Sequence, residues 1–71
     1  GEEGESAQAS DVVALVDEVV QNARRTGAHV YWQPVEEQHL LTLRPHAIRR
    51  ALSNLLTNAA RYGTEVWVDL V

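Results

Sequence analysis

Two amphipathic stripes constrain this chain more than any other feature. Between Ser10 and Gly27, the residues Val12, Val13, Leu15, Val16, Val19, Val20 and Ala23 recur at helical spacing, while Asp17, Glu18, Gln21, Asn22, Arg24 and Arg25 take the other side. Ser10 is suited to cap this helix, Asp11 to its first turn, Arg24 and Arg25 to its last, and Gly27 to ending it. A second stripe runs from Ala47 to Ala59, where Ile48, Ala51, Leu52, Leu55, Leu56 and Ala59 follow the same period. Pro45 can open that helix, although Arg44 before it is a poor cap, and Gly63 closes it. Each helix must bury its stripe, and the residues between and after them supply the surface on which to do so.

Those residues read as strands. AHVYWQ, residues 28–33, is rich in β-branched and aromatic side chains and stops at Pro34; HLLTL, residues 39–43, follows after an acidic turn from Val35 to Gln38. The two are expected to pair as a hairpin. TEVWVDLV, residues 64–71, alternates Val66, Val68 and Leu70 against Glu65, Trp67 and Asp69, the pattern of a half-buried strand. Trp67 is expected beside Tyr31 or Trp32, as cross-strand packing or as a contact surface. Residues 1–10, GEEGESAQAS, carry no large apolar side chain and read as a flexible linker. The expected fold is therefore α+β, a two-layer α/β sandwich in the order α-β-β-α-β over residues 11–71. A last strand running to Val71 leaves an edge for further chain or for a second copy, so this reads as the first portion of a larger domain, with self-association expected.

Composition narrows the function. A chain of 71 residues holds one small domain, and its 45% hydrophobic and 23% charged residues are ordinary globular proportions. Without cysteine, disulfides, thiolate zinc sites and cysteine nucleophiles are all excluded. Six arginines and no lysine against ten acidic residues give a net charge of -4, which disfavours nucleic acid or an anionic membrane as a partner. No apolar run approaches the ~18 residues of a membrane span, and no basic-then-apolar leader precedes the first helix. His29, His39 and His46 lack metal-ligand spacing, Ser10 and Ser53 lack a nucleophile elbow, and the adjacent Asp17 and Glu18 read as a solvated helix face.

One polar stripe stands apart. On the second helix Arg50, Asn54, Asn58 and Arg61 lie on one side, with Tyr62 flanking them. Asparagine is a middling helix former because its side chain competes for backbone hydrogen bonds, so two at i and i+4 ask for a reason. A carboxamide oxygen is a hard neutral ligand of the kind Mg²⁺ accepts beside waters and phosphates, and an arginine one turn on can meet those phosphates as a forked cation. A nucleotide–metal wall and a plain solvated face are both consistent with that spacing.

The segment RPHAIRRALSNLLTNAARYG, residues 44–63, resembles the N-box of the ATP-binding domain of sensor histidine kinases, in the Bergerat-fold (GHKL) superfamily. The likeness is especially close to the subgroup containing the enterobacterial osmosensor kinase, and NLLTNAARYG carries it most specifically. Over residues 10–71 the resemblance implies a partial Bergerat ATP-binding fold. It implies that Asn58 chelates Mg²⁺, that Asn54 faces the phosphates or a metal-bound water, that Arg61 meets the phosphates, and that Tyr62 lies beside the base. Superfamily branches that hydrolyse ATP place a glutamate four residues before the metal asparagine. Asn54 stands there, and an amide cannot act as general base, which favours an ATP-dependent protein-histidine kinase. The parent would be a membrane-anchored two-component kinase on the cytoplasmic side of the bacterial inner membrane. Its partners would be its own dimerisation/phosphoacceptor domain and a response regulator. The adenine-reading aspartate and the glycine-rich lid segments are expected beyond Val71, so this chain alone is expected to be inactive and to bind ATP weakly. A non-catalytic folding or dimerisation module, or an unrelated small αββαβ binding domain, is the alternative.

Overall fold

The computed structural model of the chain describes residues 6–36 and 39–69. Six elements follow one another: β1 (Gln8–Asp11), α1 (Val12–Arg25), β2 (His29–Tyr31), β3 (Leu40–Leu43), α2 (Pro45–Arg61) and β4 (Glu65–Trp67). The fold is α+β, with the strands in two small sheets.

Both helices form where their stripes predict, and both end in the same way. Gly27 and Gly63 adopt positive φ, +96° and +68°, a conformation that costs any residue with a Cβ. After α1, the Ala28 and Gly27 amides donate to the Ala23 and Arg24 carbonyls at 3.0 and 3.1 Å; after α2, those of Thr64 and Gly63 donate to Ala59 and Ala60 at 2.8 and 3.2 Å. This paired pattern satisfies carbonyls that a helix end would otherwise leave without partners.

At the other end of α1 the expectation needs correcting. Asp11, not Ser10, is the N-cap: its Oδ1 accepts from the Ala14 amide at 3.2 Å. The Ser10 hydroxyl instead donates to the Gln8 carbonyl at 3.0 Å. The reason is that residues 8–11 are not linker. They form β1, antiparallel to β3 with Gln8 opposite Leu43 and Asp11 opposite Leu40, and the Val12 amide extends the ladder to the His39 carbonyl at 2.9 Å. The element order is therefore β-α-β-β-α-β rather than α-β-β-α-β. The expected hairpin is also absent: β3 pairs with β1, while β2 pairs in parallel with β4, His29 opposite Glu65 and Tyr31 opposite Trp67. A parallel partner must be reached by a crossover, and α2 provides it. Within the expected acidic turn, Glu37 and Gln38 lie outside the described residues, as do Leu70 and Val71 of the expected last strand.

The core is built mainly by α1. Val13, Leu15, Val16, Val19 and Val20 are buried there, together with Ala28, Val30, Trp32 and, from α2, Leu56. The second stripe is more open than its pattern implies: Leu52 is half-buried, but Ile48 is 38% and Leu55 60% exposed. Asp17 is not part of a plain solvated face, because its Oδ1 accepts from Trp32 Nε1 at 3.1 Å and so satisfies the one polar atom of a buried indole. Glu18 keeps its exposed character and pairs with Arg49 of α2 at 2.7 Å.

Candidate functional site

The polar residues singled out on α2 sit on the side turned away from α1. Leu52, Leu56 and Ala60 are the α2 side chains that pack into or against the core, and Asn54, Asn58 and Arg61 are exposed. Packing therefore gives no reason for two asparagines inside this helix, where alanine or leucine would be more favourable by a few tenths of a kcal/mol each, roughly. Asn58, Arg61 and Tyr62 all fall in the last turn or at the C-cap. That end of a helix carries partial negative charge, so a cation near the Asn58 carboxamide is favoured and a phosphate needs the compensating Arg61 guanidinium.

The four residues are only partly brought together. Asn58 and Tyr62 line one shallow depression of about 310 Å³ with Leu55, Ala59, Thr64 and Val66. Asn54, one turn earlier, and Arg61 lie on the same helix but do not contribute to that wall. The Tyr62 amide donates to the Asn58 carbonyl at 3.2 Å, which fixes the backbone between them, while the Tyr62 ring stands 77% exposed. Nothing in the sequence marks Leu55, Thr64 and Val66 as lining a surface. The helical period puts Leu55 in the buried stripe, and Thr64 and Val66 join the depression only because β4 returns beside α2.

The donor set fits one kind of cation site and not another. Among the described residues no group of three or more His, Cys, Asp or Glu side chains could hold a metal ion. A divalent ion resting on Asn58 would take a single neutral oxygen from this chain and the rest of its shell from waters and phosphates, as Mg²⁺ does in nucleotide sites. The apolar floor of Leu55, Ala59 and Val66 suits a flat, weakly polar ring rather than an ion. No helix among the described residues is long and apolar enough to cross a membrane. Compared with known proteins, the chain matches no family model, no curated protein and no solved structure.

Proposed function

We propose that the chain is the N-terminal part of the ATP-binding domain of a bacterial sensor histidine kinase, contributing the metal and phosphate wall of a Mg-ATP site. One observation carries the reading: the asparagine, arginine and tyrosine that the resemblance selects are exposed on the outer side of α2, and two of them border an apolar depression. Bound Mg-ATP supplies the phosphoryl group to be transferred. Asn58 offers the cation a neutral oxygen at the helix end whose dipole favours it. Arg61, at the same end, presents a planar fork matched to phosphate oxygens. Tyr62 and the floor beneath it provide an apolar wall for the base. Asn54 cannot take a proton at neutral pH, so this helix does not activate water, and the phosphoryl group is kept for a histidine on the parent's dimerisation/phosphoacceptor domain and then for a response regulator. The parent is placed, on the same resemblance, at the cytoplasmic side of the inner membrane.

Binding by this chain alone is weak. Contacts to phosphate without enclosure lie in high dielectric and contribute about 1 kcal/mol or less each. Two or three of them leave a dissociation constant no tighter than about 1 mM. Nuclear magnetic resonance reads affinities in that range. Titration with an ATP analogue should move the side-chain amide of Asn58 and the signals of Arg61 and Tyr62 only when Mg²⁺ is present, and Asn58→Ala should remove the metal dependence. Shifts that ignore Mg²⁺, or that map to α1, would refute the assignment.

A further inference from the structure

The most strand-prone segment of the chain carries no charge to protect it. AHVYWQ, residues 28–33, has β-branched and aromatic side chains and no Asp, Glu, Lys or Arg, the composition of short segments that pair with copies of themselves. Pro34 ends the run but blocks nothing within it.

In the fold this segment supplies β2, and β4 takes one of its edges. Backbone polar groups alternate in direction along a strand. The Val68 amide donates to the Tyr31 carbonyl at 2.9 Å, so the Tyr31 groups face β4, and the amides and carbonyls of Val30 and Trp32 face the outer edge. That edge is self-complementary. Antiparallel pairing of two copies centred on Tyr31 sets Val30 of one opposite Trp32 of the other, so that each outward amide meets an outward carbonyl. A depression of about 440 Å³ lined by Arg24, Val30, Tyr31, Trp32 and Gln33 lies open beside it.

A polar row on α1 closes the edge. Asp17, Gln21 and Arg24, spaced i, i+4 and i+7, share one side of that helix. Arg24 takes the carbonyls: its Nη2 donates to Val30 at 2.9 Å and to Trp32 at 3.3 Å, and its Nε donates to Val30 at 3.2 Å. Asp17 holds the buried indole of Trp32 in register with this contact, since its Oδ1 accepts from Trp32 Nε1 at 3.1 Å and from Gln21 Nε2 at 3.3 Å. Arg25, next in sequence, has no part in it, and its Nη1 donates to Asn22 Oδ1 at 3.2 Å. The planar fork of arginine spans two carbonyls of one strand, where the point charge of a lysine has no such fixed reach.

We infer that Arg24 is a gatekeeper that prevents the outer edge of β2 from pairing with a second copy of this chain. A strand added at the usual ~4.8 Å spacing aims its donors at the carbonyls the guanidinium already holds, so the guanidinium must leave first. In a twofold pair the two Arg24 side chains are also driven toward each other, which adds like-charge repulsion. Neither Arg24 nor β2 lines the depression beside Asn58, so this role stands whether or not a nucleotide binds there.

Three variants test the role, read by sedimentation and by amide exchange at Val30 and Trp32. Arg24→Ala should associate more strongly than the unaltered chain, and exchange of both amides should slow by about tenfold or more as they enter a ladder. Arg25→Ala removes the same charge one residue on and should leave sedimentation and both amides as they are in the unaltered chain. Arg24→Lys keeps the charge but not the fork, and should associate less than Arg24→Ala and more than the unaltered chain; it decides by the same readout if Arg24→Ala loses the amide protection of α1. A folded Arg24→Ala that sediments like the unaltered chain, with both amides exchanging as before, would overturn the role. So would equal association of Arg25→Ala, which would make net charge the cause, or an unaltered chain whose Val30 and Trp32 amides are already protected by association.

Discussion

Leu55 and Leu56 are adjacent in sequence and belong to one apolar stripe, yet the structure assigns them opposite consequences. Leu56 is 2% exposed and Leu55 is 60% exposed. Truncating Leu56 to alanine removes three carbons from the core, and at ~0.8 kcal/mol per buried methylene that is about 2.4 kcal/mol. The full penalty of a closed void does not add to it, because Leu56 also lines the open cleft of about 240 Å³ and the vacated space joins that cleft. Leu56→Ala should therefore cost about 2–3 kcal/mol, whereas Leu55→Ala should stay within about 0.5 kcal/mol. For a chain of this length the whole stability is only roughly 4–11 kcal/mol, so the first variant should melt about 10–20 °C lower. Urea denaturation followed by far-ultraviolet circular dichroism and by the emission of buried Trp32 measures both variants on one scale. Equal losses at the two positions, or less than about 1 kcal/mol at Leu56, would refute the packing of α2 on α1 described above.

Three further outcomes are expected. Arg24→Ala should cost about 1–2 kcal/mol, since it strips donors from the Val30 and Trp32 carbonyls, and it should make the chain aggregate with time at high concentration, measured by denaturation and light scattering. Asp11→Ala should lose about 1 kcal/mol of helix capping while Asp11→Asn loses only a few tenths, a difference readable in thermal melts. Asn58→Ala should leave stability unchanged or raise it by up to about 0.5 kcal/mol, because the residue is exposed in a helix; on the proposed function it should also abolish autophosphorylation of the parent protein, and wild-type phosphorylation would remove the metal assignment.

The helices were legible in the sequence because their information is local. Seven apolar residues at a 3.6 period with Gly27 behind them, and six with Gly63 behind them, specify a helix and its end without reference to the rest of the chain. The sheets were not legible for the opposite reason. Gln8, Ala9, Ser10 and Asp11 have no β-branched or aromatic side chain, and they are a strand only because β3 offers them a partner. Likewise nothing within residues 28–43 tells a hairpin from two strands that each pair elsewhere. The competing partner, β4, lies beyond a helix of 17 residues, and a contact that distant leaves no trace in a local pattern.

The candidate site divides along the same line. Its asparagines could be found from sequence because they are unfavourable where they stand, polar and helix-averse on a face that packing does not use. Which of them share a surface could not be found, because the depression beside Asn58 and Tyr62 is completed by Thr64 and Val66, whose position depends on β4 lying parallel to β2. The exposure of Leu55 follows from that same arrangement. α2 turns Leu56 toward α1 and leaves Leu55 over the open side of the sheet, so the side chain reads as core by period but lines both the cleft and the depression in space. Apolar surface shared by two adjoining hollows, both of which Leu55 and Val66 line, is costly to leave in water. Leu55→Asp should therefore be tolerated by the isolated chain and, if the proposed nucleotide site is right, felt only when a base is offered to the depression beside Tyr62.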